Sequence, residues 1–165
     1  MMGSWKSTIG SKIAKLLKME FFDTDDVIEE VTEMKVSDIF REFGEVKFRE
    51  MEQAFFIEKT KQNNQLFSTG GGIVLDSKNR KILKNGITFL LETSPSVLVS
   101  RIHNTNKRPL LKGTGNLEKK LHSIWNEREK YYLESAQHII KTDNLQPQQV
   151  IETILETLKF EYDKN

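Results

Sequence analysis

The chain has 165 residues, and its 25 Lys and Arg against 24 Asp and Glu leave a net charge of +1. That length suits a single domain, 1–165, with a core that needs no staples, and the balanced charge argues against nucleic acid or an anionic membrane surface as partner. The absence of Cys excludes disulfides and thiol chemistry and suits a reducing, cytoplasmic compartment. No apolar run nears the roughly 20 residues of a membrane helix, and Lys6, Lys12, Lys15 and Lys18 interrupt the early apolar residues, so no signal peptide is expected.

Ile9, Ile13, Leu16 and Leu17 recur at helical spacing and predict an amphipathic helix over 6–18. Residues 20–23 read as a short buried strand ending in acid. Ser37 is the expected cap of a helix that Gly44 ends, and Phe48, Met51 and Phe55 form one face of the next. A strand over 65–69 runs into Gly70-Gly71-Gly72, a helix follows over 77–85 closed by Gly86, and 87–91 is the clearest strand. Ser94-Pro95 opens a helix to about His103. Residues 104–116, polar, basic and glycine-bearing, are long enough for a functional loop. Leu117, Leu121, Ile124 and Trp125 begin a helix, 138–141 is a strand, and Pro147 opens a last helix to about Phe160. Alternating strands and helices predict an α/β fold with a parallel sheet, whose ligands lie beyond the C-terminal strand ends.

Several short segments carry chemistry, each with a plainer alternative. Gly3-Ser4-Trp5-Lys6-Ser7-Thr8 opens the first helix and partly matches a P-loop, in which backbone N–H groups cradle phosphates, a Lys reaches the terminal phosphates and a hydroxyl ligates Mg²⁺. Alone it could be an ordinary helix start. Asp23-Thr24-Asp25-Asp26 is either a helix cap or a pair of acids for Mg²⁺ and hydroxyl recognition. Arg49 and Glu52, three apart, are a surface ion pair or an Arg held to grip a carboxylate. Thr69-Gly70-Gly71-Gly72 is a turn or a close approach of backbone to ligand. Arg108-Pro109-Leu110-Leu111 is a solvated loop or a lid that brings a cation to a phosphoryl group. Arg128, one turn from Tyr132, covers apolar surface with its stem or forms a second carboxylate clamp. Trp125 is expected in the core, and the three His have no ligand spacing.

In this order the segments resemble the shikimate kinases over about 2–158, and Phe21-Phe22-Asp23-Thr24-Asp25 with Thr69-Gly70-Gly71-Gly72-Ile73-Val74 is nearly the family's own text. The resemblance implies a three-layer P-loop kinase fold with a lid at about 104–116. It implies transfer of the ATP γ-phosphoryl group to the 3-hydroxyl of shikimate, with Mg²⁺, by a monomer. Lys6, Ser7, Gly3, Ser4 and Thr8 would serve the phosphates, with Ser7 on Mg²⁺ and Asp23 reaching it through water. Asp25 would be the base, and Arg108 would close with the lid. Arg49, oriented by Glu52, and Arg128 would hold the shikimate carboxylate, with Gly70, Gly71 and Gly72 lining the substrate. Thr142-Asp143-Asn144 falls near the family's adenine loop.

Two departures qualify this. The family's first, central strand precedes the P-loop, and the chain as written has no residues for it, so the expectation is that a strand belongs upstream. Trp5 stands where the P-loop has its second glycine. A left-handed backbone there costs about 1–2 kcal/mol for a residue with a side chain, and weakened ATP binding is expected. The alternative function is a relative that binds shikimate or a similar acid without phosphoryl transfer.

Overall fold

The computed structural model describes residues 3–102, 109–111 and 115–163. In chain order they form α1 (Lys6–Leu17), β1 (Glu20–Asp23), α2 (Thr24–Thr32), α3 (Val36–Lys59), β2 (Gln65–Ser68), α4 (Ser77–Asn85), β3 (Phe89–Glu92), α5 (Pro95–Arg101), α6 (Leu117–Ser135), β4 (His138–Lys141) and α7 (Pro147–Asp163). One short 3-10 turn follows the triple glycine at Ile73–Leu75 and another spans Pro109–Leu111.

The strands are parallel, as the alternation predicted, but they form two pairs rather than one ladder. β1 pairs with β2, Phe22 opposite Phe67, and β3 with β4, Leu90 opposite Ile139. No described strand bridges β2 and β3. Side chains join what the ladder does not. On one face Ile9 and Ile13 of α1 pack with Leu66 of β2, Leu91 of β3, Ile140 of β4 and Val150, Ile151 and Ile154 of α7. On the other, Phe67 and Leu90 pack with Phe56 of α3, Leu83 of α4, Leu98 of α5 and Leu121 and Ile124 of α6. Adjacent residues thus go to opposite faces, as the strand period of two requires, and helices cover both sides: three layers.

Several boundaries differ from the sequence reading for local reasons. Helix α2, implied only by the cap reading of Asp23, starts directly at the end of β1, and the Asp23 carboxylate accepts from the Asp25 N–H at 3.1 Å. Ser37 is not a cap, because α3 begins at Val36 and that residue's N–H donates instead to Glu29 Oε1 at 2.9 Å. Gly44 does break the helical path with φ 79 and ψ 171, although turns continue on both sides. Asp76 caps α4 through the N–H groups of Lys78 and Asn79. Phe56, rather than Phe55, is buried along with Phe48 in α3, and Trp125 is half-buried, stacked on Tyr132. α2 and the first part of α3 carry a satellite core of Ile28, Ile39 and Phe48.

Leu98 is fully buried at the centre of the larger cluster. Leu98→Ala should cost about 2–5 kcal/mol, read as a lower urea midpoint at an unchanged slope.

Candidate active site

The β1 and β2 ends, the α1 start and one face of α6 open onto a cavity of about 830 Å³. Its helix-α1 end is built by Gly3, Trp5, Lys6, Ser7 and Thr8. Gly3 has φ +80, and a Cβ there would lie 3.0 Å from Ile102 Cγ1, so both its backbone and its neighbour call for glycine. Ser4 is fully buried and is not among the residues lining the cavity. Trp5 takes the left-handed conformation, φ 62 and ψ 16, as the N-cap of α1. That is the backbone for which a P-loop uses glycine.

Ser7, on the first turn of α1, donates its hydroxyl hydrogen to Asp23 Oδ2. The same hydroxyl lies 3.4 Å from that of Ser68. One oxygen of Asp23 thus caps α2, as one of the two readings expected, while the other meets Ser7. A hydroxyl and a carboxylate in contact beside a helix N-terminus suit Mg²⁺, a hard ion that keeps several waters and takes few protein oxygens beside substrate phosphates. Among the described residues no group of three or more His, Cys, Asp or Glu could hold a metal on its own.

Across the cavity, acid and base are interleaved. Glu52 is 1 % exposed, and its Oε2 accepts from Arg49 at 2.6 Å. Glu45 Oε1 accepts from the other edge of the Arg49 guanidinium, from Nη2 at 3.1 Å and Nε at 3.3 Å. The alternative of an exposed Arg49–Glu52 pair is therefore corrected: the helix face bearing it turns inward. The triple glycine gives these groups room. A Cβ on Gly72 would sit 2.2 Å from Arg49 Cζ, and one on Gly70 would lie 2.7 Å from Glu52 Oε1 and 3.1 Å from Asp25 Oδ1. The backbone of Gly72 is right-handed, φ −93, so space and not conformation excludes a side chain. The Gly70 N–H donates to the hydroxyl of buried Thr24 at 3.0 Å.

Arg128 is also buried, so it is no surface stem. Its Nη1 donates to the Gly71 carbonyl at 3.4 Å, and the Tyr132 hydroxyl donates to the same oxygen at 2.6 Å. Burial pushes the Tyr132 phenol up, keeping it a donor. Of the four buried side-chain polar atoms without a hydrogen-bond partner among the described residues, Glu52 Oε1 and Arg128 Nε belong to this site, the others being Gln65 Oε1 and Asn79 Oδ1; a polar ligand would answer the first two. Burial raises the Glu52 carboxyl to about 7, against the pull of Arg49 and with a further push from Asp25.

The structure thus brings Lys6, Ser7, Asp23, Asp25, Arg49, Gly70, Gly71, Gly72 and Arg128 to one cavity. Arg108, and most of 104–116 with it, lies outside the described residues. Sequence reasoning missed Arg101, which lines the same cavity with its guanidinium carbon 3.5 Å from the centre of the Trp5 ring. No spacing rule links residues so far apart. It also missed Thr24; its position before Asp25 at a strand end was the available signal.

Gly72→Ala should expel the Arg49 guanidinium. Losing a charge-assisted contact worth about 1.5–3 kcal/mol weakens binding of a carboxylate ligand by roughly 10–100-fold, measurable by calorimetry. The Glu52 proton gives a second expectation. The native protein keeps this proton above the ordinary 4.5 at which the unfolded chain releases it. Its contribution to stability is full below 4.5 and is lost as pH rises through about 7. Unfolding titrations should show stability falling across that window, and Glu52→Gln should flatten the slope.

A family model described as shikimate kinase matches residues 2–159. The chain is 39 % identical over 155 residues to a shikimate kinase of Thermodesulfovibrio yellowstonii, covering 93 % of this chain and 88 % of that one. It is 42 % identical over 158 residues to one of Legionella pneumophila, covering 95 % and 90 %. Among solved structures, a shikimate kinase from Acinetobacter baumannii in complex with shikimate superposes with a TM-score of 0.92 at 34 % identity, covering 97 % of this chain and 89 % of that one. One from Bacteroides thetaiotaomicron gives 0.85 at 31 %, covering 96 % and 94 %. The chain belongs to the shikimate kinase family.

Proposed function

We propose that this chain is an ATP-dependent shikimate kinase, transferring the γ-phosphoryl group to the 3-hydroxyl of shikimate on the route to chorismate and aromatic amino acids. The observation that carries the reading is the convergence of two buried or half-buried Arg, a carboxylate pair and three glycines on the cavity that also holds Lys6 and the Ser7–Asp23 contact. A polyhydroxylated carboxylate needs that mixture: guanidinium forks for the acid, carboxylates for hydroxyls, and bare backbone for close approach.

In this assignment Arg49 and Arg128 grip the shikimate carboxylate, Glu52 fixes Arg49, and Gly70, Gly71 and Gly72 border the ring. Asp25 accepts the proton of the attacking hydroxyl as its oxygen bonds to the γ-phosphorus and the bond to ADP breaks. Gly3, Lys6 and Thr8 hold the phosphates, and Arg108 is assigned to the lid. Ser7, and Asp23 through water, would hold Mg²⁺, which would supply positive charge to the phosphate oxygens. Phosphoryl transfer through a loose transition state depends on such positioning more than on covalent help. One cavity in one chain takes both small substrates, so a monomer suffices, and the Cys-free composition suits the cytoplasm. Among the described residues no helix is long and apolar enough to cross a membrane.

The left-handed Trp5 favours a second reading, a protein that binds the acid but does not transfer phosphate. Calorimetry separates the two: shikimate and Mg-ATP should both bind, whereas shikimate binding alone selects the second. In a coupled assay Asp25→Asn should lower turnover by about 10²–10⁴ while shikimate still binds. Unchanged turnover would remove Asp25 as the base.

A further inference from the structure

The flat groups lining the cavity fall into two sets. Phe40, Phe48 and Tyr132 belong to the acid-gripping end: Phe40 packs on Phe48, Arg49 lies over Phe48, and Tyr132 holds Gly71. Beside the phosphate-binding helix start, the flat groups among the described residues are Trp5 and Arg101, and they are already face to face. The 3.5 Å between the Arg101 guanidinium carbon and the Trp5 ring centre is van der Waals stacking, with no room for a third plane. Arg101 is a fixed plate, because its Nη2 donates to the Thr142 carbonyl at 2.8 Å and its Nη1 to the Thr142 hydroxyl at 3.2 Å. Thr142 is itself fully buried and bonded to Thr93 at 2.6 Å. The indole is only half-buried and packs at the margin of the α1–α7 cluster. Guanidinium faces are weakly hydrated and stack on any π-system, so this plate suits a purine as well as an indole.

We propose that the Trp5 indole is an internal competitor for the nucleobase: it occupies the stacking face of Arg101, and a nucleotide gains that face only as the indole leaves it. This rests on the assignment of the Lys6–Thr8 end to nucleotide phosphates. It differs from a defect in the phosphate cradle, since the competition falls on the base and leaves the phosphates alone.

The test uses Mg-ADP and magnesium tripolyphosphate, which has phosphates and no base, on the full chain. In a Trp125→Phe background Trp5 is the remaining tryptophan, excited selectively over the three tyrosines. Mg-ADP should shift its emission saturably, and tripolyphosphate should not. Trp5→Asn keeps a residue tolerant of left-handed backbone and removes the indole. It should bind Mg-ADP about 2–30-fold more tightly, the range for a cation–π contact, with tripolyphosphate affinity unchanged. Trp5→Gly should preserve that selectivity if the Asn variant folds poorly. Equal gains for both ligands, unchanged ADP affinity or a loss of it would overturn the proposal while leaving nucleotide binding intact. Failure of parent and variants alike to bind Mg-ADP would overturn the nucleotide assignment and this proposal with it.

Discussion

The buried contact between Glu52 and Arg49 is the interaction on which the site depends. A carboxylate 1 % exposed is stable only if its charge is answered or its proton retained. Here Arg49 answers one oxygen at 2.6 Å, and the carboxyl sits near neutrality, up at about 7, because burial outweighs that answer. The pair in turn dictates what lies opposite. Gly70 and Gly72 have no side chains where Glu52 and Arg49 stand, so β2 can deliver its backbone to the cavity floor. Tyr132 and Arg128 then hold the middle glycine by its carbonyl. Three chain segments are thereby locked around one polar centre.

Much of this was legible in the sequence, and the part that was not has physical causes. Helical periodicity located α1, α6 and α7, whose apolar residues share one face, and short apolar runs located β1, β2 and β4. The order of short motifs identified the family: the Lys6-Ser7, Asp23-Thr24-Asp25 and Thr69-Gly70-Gly71-Gly72 segments lie at element ends, while Arg49 and Arg128 lie within α3 and α6. Ser37 misled as a cap because a carboxylate seven residues before Val36 caps α3 instead, a tertiary contact that local preference cannot express. The burial of Arg49, Glu52 and Arg128 was likewise invisible: (i, i+3) spacing looks the same on either face of a helix. The stacking of Trp5 on Arg101 depends wholly on the folded arrangement.

Trp5 shows how a local cost can persist. Its left-handed backbone is unfavourable for a residue bearing a side chain. Its ring nevertheless finds both the apolar margin of the α1–α7 cluster and a cationic plate anchored to Thr142. Contacts of that kind contribute about 0.5–2 kcal/mol, the same order as the strain, so the fold tolerates the residue locally.

Helix α1 lies against β1, β2 and α7 at once, and its Ile9 and Ile13 pack on Leu66 of one strand pair and on Leu91 and Ile140 of the other. Since Lys6 and Ser7 stand at its tip, the reach of the cationic end toward the acid-gripping end is set by side-chain shape in the α1–α7 layer, several residues removed from any chemistry.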